Sequence, residues 1–262
     1  MGNLNKNYIG LTKELSLTYF KLKYQGSFLG YFWSLVKPLM TFIVLLFVFT
    51  KVFKVGGSVE HYPVYLLLGI ILWGFFQEMT VISLGAIVEN SDLIRKVYFP
   101  RIVLVIARGI TSLMTFVLNF AVVLIFIFVA GIHLQLPSVL VILLFLELFV
   151  LSTGVGLILS SLFVRFRDVA HIWEVFMMAA FYATPILYPI SFIPDKFIKI
   201  VMISPVAQII QDARSVLLSS NVETSGQILG SYWFIPYALV FMICLSGYFV
   251  FNKMSAKFAE EV

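Results

Sequence analysis

Long apolar runs separated by short polar links organise this chain from end to end. Six runs stand out, at about 29–53, 62–88, 102–132, 139–163, 169–184 and 233–251. A helix rising 1.5 Å per residue needs roughly 20 apolar residues to cross a hydrocarbon core of about 30 Å. The pattern therefore predicts an all-α polytopic membrane protein with six transmembrane helices. The fifth run is irregular, because Pro185, Pro189 and Pro194 follow it closely and cannot continue a helix. Before the first run, Leu11, Leu15, Tyr19 and Leu22 recur at helical spacing among Lys13, Lys21 and Lys23. That spacing predicts an amphipathic interface helix within residues 1–28. Between 186 and 231, two short amphipathic pieces, about Phe192–Ile203 and Val206–Leu218, flank Pro205. Neither can cross alone, so both are expected as re-entrant or interfacial helices shielded by protein. Residues 252–262 form a charged tail.

Composition agrees with this partition. Apolar residues make up 61% of the 262 and charged ones only 12%, against roughly 45–50% and 25% in a soluble domain. The formal charge of +5 does not point to nucleic acid, since the bases sit at the ends of apolar runs rather than in one patch. With the N-terminus inside, only Lys51, Lys54, Lys196, Lys199 and Arg214 fall outside, against thirteen Lys and Arg within. The positive-inside bias thus places both termini in the cytoplasm and the 186–231 segment outside. A lone cysteine, Cys244, excludes an internal disulfide framework. The first 28 residues lack the apolar h-region of a cleavable signal peptide, so targeting is expected to fall to the first span.

Several chemistries are missing. No phosphate-cradling G-x-x-x-x-G-K-[ST] loop is present, and His61, His133 and His171 stand apart from any metal-ligand pair. If the protein does energy-dependent work, the energy must come from a partner chain or an ion gradient. Glu78, Glu147 and Glu174 lie inside apolar runs, the usual flag of an ion path. They do not converge at one depth, which favours carboxylates paired with a base such as Arg108 or hydrogen-bonded between helices. Most of the 27 Phe, 12 Tyr and 4 Trp are expected to be packing or interfacial residues.

Four strings, in order, resemble the permease subunit of ABC-2 type exporters of cell-surface polysaccharide. Residues 24–38 carry Gly30, Trp33 and Pro38 in the register of an L-G-x-x-W-x-x-x-x-P motif at the start of span one. Residues 89–101 match an E-N-x-x-L-I-x-K-x-x-F-P cytoplasmic loop through Glu89, Asn90, Leu93, Ile94, Lys96, Phe99 and Pro100. F-R-D at 166–168 follows span four, and T-P-I-L-Y at 184–188 precedes a Ser-Pro pair at 204–205, where the family more often has Asn-Pro. The resemblance covers about residues 20–250.

It implies a homodimer working with two copies of a separate ABC ATPase in the bacterial cytoplasmic membrane. ATP and Mg would be bound by that partner, leaving this chain without cofactor, metal or catalytic residue. The cargo would be a lipid-linked O-antigen, capsule or teichoic acid polymer. Glu89, Asn90, Asp92, Leu93, Ile94, Arg95, Lys96, Tyr98, Phe99 and Pro100 would form the ATPase-coupling loop, with Leu93, Ile94, Tyr98 and Phe99 as an apolar knob. Lys21, Lys23, Gly30, Trp33 and Lys37 would form the gate where the glycan lipid enters, the lysines attracting its diphosphate. Trp73, Phe75, Phe76 and Tyr182 are channel-lining candidates, and Pro185, Tyr188, Pro189 and Pro205 belong to the outer gate. A small-molecule or drug efflux permease of the same fold is the alternative. It would tend to carry a large extracellular domain or a fused ATPase.

Overall fold

The computed structural model describes residues 2–27, 30–57, 59–218 and 222–261. Phe28 and Leu29, the expected boundary between interface helix and first span, lie outside the described residues, as do Met1, Ser58, Ser219, Ser220, Asn221 and Val262. The described residues form helices and turns, with no strand among them.

Helix α1 is Gly2–Lys23. A 3-10 turn, Gly30–Phe32, leads into α2, Trp33–Phe47, which passes into a π turn at Val48–Val52. The long helices α3 (Tyr62–Leu84), α5 (Ile102–Val129), α6 (Val141–Arg165) and α11 (Ile235–Ser255) follow the predicted runs within a few residues. With α2 and its flanking turns they make five helices long and apolar enough to cross a membrane. The fifth expected crossing is shorter: α7 is Val169–Ala183, 15 residues, or about 22 Å. It stops because Pro185 disfavours helical backbone at Thr184, which is extended.

After α7 come α8 (Asp195–Met202) and α9 (Pro205–Leu217), bent by 99° at their junction. Pro205 starts α9 at a position where its missing N–H costs nothing. Two short helices were not anticipated: α4 (Ser91–Lys96) within the 89–101 loop and α10 (Ser225–Leu229). Thr224 and Gln227 close a reciprocal capping box at the start of α10. A last turn, α12, spans Phe258–Glu261.

Helix α3 is the axis of the bundle. Leu66, Leu67, Leu68, Leu72 and Met79 are fully buried, and α2, α5, α6, α7 and α9 pack around them. A helix that is apolar all round is either enclosed by other helices or set in lipid, and α3 is the enclosed one. On the far side of α6, α11 approaches closely because two glycines face each other. A Cβ on Gly154 would sit 2.7 Å from the Cα of Cys244, and Gly247 is as tightly placed against Gly154. Small residues are what permit such helix contacts in an apolar bundle.

A second apolar cluster closes the end bearing the 89–101 loop. Ile87, Ile94, Phe99, Leu104, Phe251 and Phe258 form it, with Tyr8, Leu11 and Leu15 of α1 packed against them. The predicted apolar stripe of α1 thus lies largely on protein, while Leu22 remains exposed. Burial of Ile94 and Phe99 also corrects the expected knob: both are turned inward. What projects from the loop is Tyr98, 96% exposed, with Val97 and Pro100 beside it.

Candidate functional site

Where the last turn of α1 meets α2, α3 and α5, a cavity of about 700 Å³ opens. Three of its polar residues, Ser112, Thr115 and Asn119, repeat at three- and four-residue spacing along one face of the otherwise apolar α5. Gln77 and Glu78 enter from α3, Lys23 from the end of α1, Tyr24 from the turn after it, and Trp33 and Lys37 from α2. Trp73 and Phe75 line the apolar wall. The cavity therefore joins a carboxylate, two lysines, hydroxyls, an amide and flat aromatic rings, which suits a ligand with an anionic group and polar C–H-bearing rings.

Lys23 is committed within it. Its Nζ donates to Glu78 Oε1 at 2.7 Å and to Thr115 Oγ1 at 3.2 Å, and stands 5.3 Å from the Tyr24 ring centroid. The pair is about 30% exposed on each side, so water reaches it. Lys37 has no ion pair among the described residues. Two residues that line the cavity, Tyr24 and Ser112, carry buried hydroxyl oxygens without a hydrogen-bond partner among the described residues.

The other predicted gate and channel residues divide. Lys21 and Gly30 line a shallower pocket of about 440 Å³ behind Tyr24. Phe76 is not at the cavity wall but packs in the core between Trp73 and Trp173, its ring tilted to both at 6.0 and 6.5 Å. Tyr182 is 64% exposed on α7, away from the cavity.

One helical turn before Lys23, Tyr19 faces the 89–101 loop and donates to Asn90 Oδ1 at 2.7 Å. Arg108 of α5 pairs with Glu89 and spreads its guanidinium 4.2 Å over the Tyr19 ring. Burial holds the Tyr19 phenol above its usual range, opposed by Arg108, so it is a protonated donor at neutral pH. Ser16 and Thr111 join α1 to α5 a turn earlier, through a 3.1 Å bond to the Ser16 carbonyl. The sequence puts Tyr19 only in the apolar stripe of α1 and carries no sign of its pairing with Asn90. Contacts 71 residues apart leave no local trace.

At the opposite end, Arg214 of α9 is fully buried. It donates to the main-chain carbonyls of Pro185 (2.6 Å), Ile186 (2.8 Å) and Tyr65 (3.3 Å), and lies 3.4 Å over the Tyr65 ring. Tyr62 and Tyr65 reach the carbonyls of Leu187 and Tyr188, and Tyr188 bonds back to the Tyr182 carbonyl. The 184–189 turn is thereby fastened to α3. Pro185 and Tyr188 belong to this fastening, Pro189 precedes the turn Ile190–Phe192, and Pro205 starts α9. Arg214, counted in the sequence as a loop charge, is a buried hub.

The three apolar-run carboxylates stay apart. Glu78 pairs with Lys23 rather than Arg108, Glu174 is exposed, and Glu147 lies by Gln208 and Asp212 near α9. They form no common relay.

Residues 11–218 match the ABC-2 type transporter family. The chain belongs to that family. Among curated relatives of this ABC-2 transporter chain, an O-antigen export system permease protein of Klebsiella pneumoniae is 31% identical over 241 residues, 92% of this chain and 90% of the relative. A second O-antigen export system permease protein, from Myxococcus xanthus, is 26% identical over 97% of this chain and 96% of its own length. The polysialic acid transport protein of Escherichia coli is 23% identical over 74% of this chain and 76% of its length.

Proposed function

We propose that this chain is the membrane permease of an ATP-driven exporter, carrying a polyprenyl-diphosphate-linked polysaccharide or teichoic acid across the bacterial cytoplasmic membrane. The observation that carries this reading is near-full-length similarity to O-antigen export permeases. The cavity beside α1 supports it: cations, sugar-binding hydroxyls and aromatic faces suit a diphosphate and its first sugars.

In this reading both termini and the 89–101 loop are cytoplasmic. The α7 helix completes a sixth crossing with the 184–189 turn, and α8 and α9 fold back as outer re-entrant helices. Two copies pair around a continuous channel and two ATPase subunits, which hold ATP and Mg, dock on the loops. The projecting Tyr98, Val97 and Pro100 are the docking face, flanked by Asp92, Arg95 and Lys96. Movement of the loop reaches α1 through Asn90–Tyr19 and Glu89–Arg108, and so reaches the gate at Lys23, Trp33 and Lys37.

The test is genetic. Disrupting the gene should abolish surface polysaccharide and leave lipid-linked polymer accumulated inside, with complementation restoring both. Unaltered quantity and length of surface polymer in the disrupted strain would overturn the reading.

A further inference from the structure

The Lys23–Glu78 pair has an unusual setting for a fold-holding ion pair. It stands on a cavity wall, partly wet, and links the last turn of α1 to α3 where Thr115 of α5 also takes a hydrogen bond. An exposed pair of this kind contributes little to stability. Around it, the cavity holds what an anion needs: a second lysine, Lys37, outside any ion pair among the described residues, and the unpartnered hydroxyls of Tyr24 and Ser112. Ser112 is 1% exposed. Buried polar groups of native proteins normally find partners, so two orphaned hydroxyls on residues that line one cavity point to a ligand that supplies them.

The obstacle to an anion is Glu78. A carboxylate within hydrogen-bonding distance of Lys23 neutralises the cation and repels a diphosphate. We propose that Glu78 is a built-in competitor: it holds Lys23 while the cavity is empty, and an isoprenyl diphosphate displaces it, taking Lys23 and Lys37 together with the Tyr24 and Ser112 hydroxyls. This deepens the export reading and rests on it. Displacement would also cut the only ion pair that ties α1 to α3 among the described residues. Lys23 lies four residues beyond Tyr19, on the same face of α1. Occupancy of the cavity is therefore felt one turn from the contact with Asn90.

Two halves of a structural ion pair behave alike when either is removed. A competitor does not, and that asymmetry is the test. The full chain in neutral-lipid nanodiscs would be titrated with radiolabelled farnesyl diphosphate. Farnesol, farnesyl monophosphate, inorganic pyrophosphate and phosphatidylglycerol-containing nanodiscs would serve as competing arms. Glu78→Gln keeps the shape and frees Lys23, so binding should tighten roughly tenfold, while Lys23→Met should weaken it by about as much, the scale of one charge-assisted contact. The double variant should resemble Lys23→Met. Lys37→Met should also weaken binding, which keeps the proposal testable if Lys23→Met fails to fold.

Weakening by Glu78→Gln, or no change, would overturn the competitor role. So would equal binding of farnesol, which marks an apolar site, or full displacement in phosphatidylglycerol discs, which marks a bulk headgroup site. Displacement by pyrophosphate alone as effective as by farnesyl diphosphate would also overturn it, because the lipid would then contribute nothing. Failure of the export reading is separate: it appears as normal surface polymer in the disrupted strain, whatever the binding results.

Discussion

Tyr19 on α1 donates a 2.7 Å hydrogen bond to the side-chain oxygen of Asn90, 71 residues along the chain. Through it, a helix beside the cavity and the loop proposed to meet the ATPase share one polar contact. Arg108 reinforces that contact from α5, pairing with Glu89 while covering the Tyr19 ring.

Tyr19→Phe removes the hydroxyl and leaves the ring under Arg108. The loss is about 1 kcal/mol, the net worth of one hydrogen bond, too little to unfold the chain. Export of polymer should fall several-fold while copurification with the ATPase persists. Surface-polymer quantity, set against pull-down yield, reads the two separately. Full export in this variant would remove Tyr19 from the transmission path.

The loop residues should separate by burial. Tyr98 is 96% exposed and Phe99 6%. Tyr98→Ala is expected to leave thermal stability unchanged and reduce ATPase copurification. Phe99→Ala should instead destabilise the chain by about 3 kcal/mol, the usual cost of emptying a buried aromatic site. Thermal unfolding followed by size-exclusion chromatography, alongside pull-down, distinguishes them. Equal behaviour of the two variants would contradict the assignment of inner and outer faces.

Arg214→Met should be among the most damaging changes in the chain. It leaves the carbonyls of Pro185 and Ile186 without their guanidinium donor in a buried place, a loss of about 2–4 kcal/mol. Arg214→Lys retains charge but cannot span three carbonyls at once and should recover only part of the loss. Limited proteolysis of the 184–229 region provides the measurement, with faster cleavage expected in both variants. Gly69→Ala should act in the same direction, since its Cβ would stand 2.6 Å from Arg214 Nη2.

Gly247→Val tests the α6–α11 seam. The added side chain would meet the Gly154 backbone, and helix axes must part to admit it. A cost of about 1–3 kcal/mol is expected for such overpacking. Glycine has no side chain to lose, so no native side-chain contact is removed, and the entropy gained by replacing glycine in a helix works against the clash. A melting temperature equal to wild type would show that the seam relaxes freely.

Helix positions were legible in the sequence because bilayer-scale apolar runs need only composition and length. The α3, α5 and α6 boundaries follow the runs within a few residues, and Pro185 and Pro205 mark the breaks where they occur. The 89–101 loop was legible as a charged interruption and as a family string, but its inward and outward faces were not. Ile94 and Tyr98 are both apolar-bodied side chains, and only packing against Phe251 and Phe258 tells them apart.

By itself, then, the sequence determined the long helices, their order, the family and the segments that interrupt them, since these depend on local hydrophobicity and proline geometry. Tertiary structure alone decided which charges meet. Lys23 with Glu78, Arg108 with Glu89, and Arg214 with three carbonyls join residues 55, 19 and up to 149 positions apart. Such pairings depend on how helices are rotated and stacked, and no local pattern encodes that.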